Sequence, residues 1–148
     1  MSKKLATAIY ILSIIGLADA SYLTYEHFSE GDIVCLILEG CDAVVNSKYS
    51  VIYGVPLAML GAFYYAANLI VSHKFIQHIN KTFLKLYLAM TTFGFLFSLY
   101  LTYLQLVVIN SICSFCLISA TISSLIFLIS IFLYRSQASS PSKDELSI

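Results

Sequence analysis

Between Lys85 and Arg135 the chain carries not one charged residue. An apolar helix needs about 20 residues to cross the hydrocarbon of a bilayer, so this run suits two helices and a short connection. The stretch from Tyr49 to Ser72 is likewise uncharged, and Leu5 to Tyr25 is apolar except for Asp19. Composition agrees: 59% of the 148 residues are hydrophobic and 11% are charged, with a mean hydropathy of +0.88. That is too little charge to cover a water-soluble domain of this size. The sequence predicts an all-α integral membrane protein, a four-transmembrane-helix bundle with approximate spans 5–25, 54–73, 83–106 and 112–134. Residues 1–135 form one membrane domain and 136–148 a short cytoplasmic tail. The N-terminal MSKK, the apolar run and ADA at 18–20 have the outline of a cleaved secretory signal. Apolar character resumes at once with SYLTY, which suits a retained helix better. A formal net charge of zero gives no case for nucleic-acid binding.

Lysine and arginine orient membrane helices by staying on the cytoplasmic side. Lys3 and Lys4 precede the first span; Lys74, Lys81 and Lys85 fill the segment between the second and third; Arg135 follows the fourth. In an up-and-down bundle these positions share one face. Residues 26–53 fall on the other, with Glu26, Glu30, Asp32, Glu39 and Asp42 against a single Lys48. Both termini are therefore expected inside and the 26–53 loop outside, in the cell membrane. All four cysteines then lie on the extracytoplasmic side, where disulfides form and persist. Cys35 and Cys41 are in the outer loop, and Cys113 and Cys116 stand at the outer start of the fourth span.

A CxxC at a helix N-terminus places both sulfurs on one face. Unpaired N–H groups and the helix dipole at that end favour a thiolate, the nucleophile of disulfide exchange. A second pair on a polar loop, bent by Gly31 and Gly40, can carry electrons from soluble thiols. A dithiol at the membrane edge can pass them to a lipid-soluble acceptor, and a quinone has the required chemistry. Two other readings of four cysteines stay open at this level. One is a membrane carrier of a soft metal such as zinc or copper(I). The other is a pair of static disulfides, against which the short, strained CxxC loop argues.

The run GLADASYLTYEH (16–27), Cys35, CDAVVNSKYS (41–50), YGVPLAMLGAFYY (53–65) and CSFC (113–116) resembles the bacterial and archaeal branch of the vitamin K epoxide reductase family, over roughly residues 8–134. The order of motifs, loop pair first and CxxC on the fourth helix second, separates it from the bacterial disulfide bond protein B type. The resemblance implies four helices around a quinone of menaquinone or ubiquinone type, with an extracytoplasmic loop and short helix between the first two. It implies that a reduced thioredoxin-like protein attacks a Cys35–Cys41 disulfide. Cys41 then exchanges with Cys113, and Cys116 faces the quinone and passes on two electrons. Ser47 takes a supporting polar role in that scheme, against the plain alternative of a helix cap. The Asn and Tyr that hold the vitamin head group in animal members align with Ser50 and Ala120 here, which favours plain quinone reduction over epoxide reduction. Many bacterial members continue into a fused thioredoxin-like domain. This sequence stops thirteen residues beyond Arg135, so the expected partner is a separate extracytoplasmic thioredoxin-like protein.

Phe63, Tyr64, Tyr65 and Phe115 are candidates for an aromatic wall of the quinone pocket, although membrane bundles are generally rich in such rings. Asp19 is costly in lipid and is a functional candidate on that ground, with hydration or a hydrogen bond to Tyr22 or Tyr25 as the plain explanation. Gly54, Pro56 and Gly61 suggest a helix break and close helix approach. The eleven tyrosines suggest an interfacial belt, His27 suits the interface, and His73 and His78 fall on the cytoplasmic side.

Overall fold

The structure, a computed structural model, describes residues 2–29, 40–77 and 81–138. Along the chain come helix α1 (Ser2–Ser29), short helix α2 (Cys41–Val45), strands β1 (Val51–Ile52) and β2 (Val55–Pro56), then helices α3 (Leu57–Gln77) and α4 (Lys81–Tyr103). A π-helical stretch, Leu104–Ile109, prolongs α4, and α5 (Ser114–Ala138) completes the described chain. Among the described residues, three runs are long and apolar enough to cross a membrane: Lys3–Ser29, Thr82–Ile109 and Ser114–Ala138. At 1.5 Å per residue α3 is about 30 Å long, a matching length. Tyr64, Tyr65, Asn68 and His73 interrupt its apolar run.

The helix ends depart from the expected spans for local reasons. The second long helix begins at Leu57, not at 54, because the preceding residues fold back as an antiparallel hairpin, Val51 opposite Pro56 and Ile52 opposite Val55. Its turn residues Tyr53 and Gly54 have φ of 52° and 82°, the double left-handed conformation that a two-residue hairpin turn requires. This hairpin is a small correction to the all-α expectation. At the far end of α4, Asn110 is also left-handed, with φ 53°. That residue ends the π-helical stretch and turns the chain toward α5.

Apolar and polar residues are distributed in the reverse of a water-soluble protein. Ser13, Asn68, Ser72, Thr91 and Ser130 are fully buried, whereas Leu86, Phe93, Ile70 and Leu128 are 59–71% exposed. The buried hydroxyls return to their own helices, Ser13 donating to the Ile9 carbonyl and Ser130 to that of Ile126, each at 2.7 Å. Asn68 donates to the Tyr64 carbonyl at 2.8 Å and accepts from Tyr87 Oη at 2.7 Å, tying α3 to α4. Small and polar residues inside with large apolar ones outside are what helices need when lipid surrounds them.

Ring contacts fix how α1 meets its neighbours. Tyr10 lies 6.4 Å from His73 near the end of α3, and Tyr22 lies 5.1 Å from Phe115 near the start of α5. Both pairs are therefore antiparallel. Glycines let two tyrosines enter: a Cβ on Gly16 would stand 2.5 Å from the Tyr65 ring, and one on Gly94 equally close to Tyr64. The ends of the long helices that carry Lys3, Lys4, Lys74, Lys85 and Arg135 are opposite to the end occupied by α2 and the start of α5.

Candidate functional site

At that second end, Cys41 and Cys113 are both 0% exposed and share one buried cluster with Leu23, Val44 and Val45. The backbone brings them together. Gly40, just before Cys41, lies so near Ile112, just before Cys113, that a Cβ on it would stand 2.6 Å from the Ile112 carbonyl oxygen. Any larger side chain would hold the two segments apart. Cys41 is disulfide-bonded, while Cys113 and Cys116 are free thiols. Cys35 lies outside the described residues, as does His78.

Cys113 occupies the capping position of α5. Its Sγ accepts the N–H of Cys116 at 3.4 Å, as a serine or aspartate oxygen would at a helix start. Its own N–H donates to Gln105 Oε1 at 3.2 Å. The sulfur thus sits among the unpaired N–H groups of a long helix, where a thiolate is stabilised. Cys116, one turn on, packs against the same cluster and also lines a cavity of about 410 Å³. It is the residue through which the buried thiols meet that cavity.

The cavity is walled mainly by apolar side chains, among them Leu23, Ala58, Phe97, Leu101 and Ile109. Ser47, Ser50 and Ala120 also line it. Ser47 ends the α2 turn by donating its hydroxyl to the Val44 carbonyl at 2.8 Å, and Ser50 donates to the Ser47 carbonyl at 2.7 Å. Tyr65 lines the wall too, its hydroxyl donating to the Ser119 carbonyl at 2.8 Å. Two aromatic candidates stand elsewhere. Phe63 is 65% exposed, because Tyr64 and Tyr65 take the inward face of α3 and the preceding residue falls about 100° round the helix. Phe115 packs on Tyr22 and the cysteine cluster, outside the cavity lining.

Four lining residues hold a buried polar atom without a hydrogen-bond partner among the described residues: Asp19 Oδ2, His27 Nδ1, Tyr64 Oη and Ser123 Oγ. Sequence reasoning singled out neither Ser123 nor Gln105. Each is a neutral polar residue in an oily run, and only the fold reveals which face it takes. Among the described residues, no three His, Cys, Asp or Glu side chains come together as metal ligands.

Helices with a polar interior and an apolar exterior, bearing a dithiol between a buried cysteine and an apolar cavity, define a multi-pass membrane protein built around a thiol site. The chain belongs to the vitamin K epoxide reductase family, whose sequence model matches residues 7–131. It is also similar to the thiol-disulfide oxidoreductase LTO1 of Arabidopsis thaliana, with 32% identity over 122 residues. That match covers 76% of this chain and 32% of the plant protein, so the chain corresponds to about a third of its relative's length.

Proposed function

We propose that this protein is a membrane thiol–quinone oxidoreductase that reoxidises an extracytoplasmic thioredoxin-like protein and so supports disulfide bond formation. The observation that carries the reading is the course of the sulfurs: Cys41 and Cys113 are buried in one cluster, and Cys116 leads from that cluster to the cavity wall. A partner's thiolate attacks a Cys35–Cys41 disulfide. The released Cys41 thiolate attacks a Cys113–Cys116 disulfide, forming a Cys41–Cys113 bond and freeing Cys116. The partner's second thiol displaces Cys35 from its mixed disulfide, and Cys35 re-forms the Cys35–Cys41 bond, freeing Cys113 and leaving Cys113 and Cys116 as the dithiol. The capping geometry supports Cys113 as the sulfur that meets the loop, since its Sγ already accepts an N–H at the helix start.

The residues present fit a quinone. The cavity lies within the range of about 300–1,000 Å³ usual for small-molecule sites and has the apolar walls such a ring needs. Bound there, a quinone would accept the two electrons and two protons of the dithiol. Tyr64 Oη and Ser123 Oγ, buried in the cavity wall, would hold its oxygens. Ala120 offers no donor and the Ser50 hydroxyl is already given to a carbonyl, which supports quinone reduction over epoxide reduction. The four long helices are read as four spans. Basic residues at the opposite helix ends support cytoplasmic termini and an extracytoplasmic thiol site, in a cell membrane with a quinone pool.

Purified protein mixed with a reduced thioredoxin-like substrate and a short-chain quinone should turn over, followed by quinone absorbance. Cys116→Ala should reduce turnover to background. Undiminished turnover in that variant would show the reading to be wrong.

A further inference from the structure

Asp19 has no part in the thiol relay, yet it lines the same cavity as Cys116. A hydrogen bond to Tyr22 or Tyr25 does not account for a carboxyl at this depth. Tyr25 is 69% exposed and Tyr22 packs its ring on Phe115, and Asp19 Oδ2 is buried with no hydrogen-bond partner among the described residues. Asp19 sits one turn below Tyr22 on α1, and Cys116 sits one residue below Phe115 on antiparallel α5. The Tyr22–Phe115 contact therefore sets the carboxyl and the second thiol at nearly the same depth. The titratable groups that share the cavity with it are Tyr64 and Tyr65 of α3, Cys116 of α5, Tyr49 before the hairpin and His27 of its own helix. Among the described residues, no lysine or arginine lines it. A carboxylate oxygen without a partner is costly to keep charged in such a setting.

We propose that Asp19 is the proton-transfer residue of the dithiol site: its carboxyl gives a proton to the acceptor in the cavity and is restored by the proton that Cys116 releases. This deepens the oxidoreductase reading and rests on it. Oxidation of the dithiol forms the Cys113–Cys116 Sγ–Sγ bond and breaks two S–H bonds. Two electrons and two protons leave the pair, and both are taken up by a quinone. One of those protons passes by way of Asp19, which is unchanged over a turnover. Positioned acid–base groups contribute about 10²- to 10⁴-fold to rate, so loss of this carboxyl should be plain against the wild type.

The test uses the whole chain in lipid nanodiscs. The Cys113–Cys116 pair is first reduced, and its reoxidation by a short-chain quinone is followed by maleimide capture of remaining thiols. Asp19→Asn should slow reoxidation at least about 10²-fold, Asp19→Glu should restore most of the rate, and exchange between Cys41 and Cys113 without quinone should proceed as in the wild type. A second readout needs no turnover. A hydrophobic carbodiimide, which reacts with protonated carboxyls, should modify Asp19, as seen by peptide mass, and added short-chain quinone should protect it. Wild-type reoxidation rates and pH profile in Asp19→Asn, or an Asp19 that the carbodiimide leaves unmodified, would overturn the proposal. A wild-type dithiol that quinone does not reoxidise at all would overturn instead the oxidoreductase reading beneath it.

Discussion

Cys113 and Cys116 are three residues apart but live in different surroundings. Cys113 is fully buried, caps α5 through its sulfur and has its N–H held by Gln105. Cys116 reaches the cavity. Removing the Gln105 amide would leave a buried N–H unpaired, which costs about 1–3 kcal/mol. Gln105→Leu should therefore lower the thermal unfolding midpoint in detergent and slow exchange at Cys113. An unchanged midpoint would mean that water or another group replaces the amide. Residue type and the lysine pattern already put the cysteines at one end, and the fold brings Cys41, Cys113 and Cys116 into one cluster, Cys35 lying outside the described residues. Gln105 was not legible in the sequence: it lies eight residues from Cys113, and only the π-helical stretch and the left-handed Asn110 bring it back. Phe63 fails for a related reason. Its aromatic character can be read directly, but the face of α3 that it takes depends on Tyr64 and Tyr65 filling the interior.

The helices fit together through rings entering notches. Gly94 on α4 leaves room for the Tyr64 ring, whose atoms would lie 2.5–2.6 Å from a Cβ at that position. Overpacking of this kind costs about 1–3 kcal/mol. Gly94→Ala should destabilise the protein by that order in a detergent melt and should cost little in a Tyr64→Ala background. Equal losses in the two backgrounds would place the effect in α4 itself and not in the contact. Charge-free runs made the long helices legible. The ends were less so, because the hairpin turn at Tyr53–Gly54 and the π-helical extension of α4 depend on backbone conformations that composition does not reveal. The third helix in the chain, α3, carries Tyr64, Tyr65 and Asn68 within its apolar run. Its tyrosines and Asn68 face the bundle and supply the bonds that join it to α4 and α5.

Taken whole, the molecule keeps Cys41, Cys113 and Cys116 at the helix ends opposite to Lys3, Lys4, Lys74, Lys85 and Arg135, with an apolar cavity reaching from the thiols into the bundle. Gly40 and Ile112 press the loop end against the start of α5, so that Cys41 and Cys113 meet within one cluster before Cys116 opens on the cavity. The account stands or falls on that meeting. A Cys35→Ala/Cys116→Ala variant retains Cys41 and Cys113 as its only cysteines. After mild oxidation in lipid and digestion, mass spectrometry should find the peptides of residues 41 and 113 joined by one intramolecular disulfide. If both thiols instead remain free, or join only between molecules, Cys41 does not deliver electrons to Cys113 and the relay is contradicted.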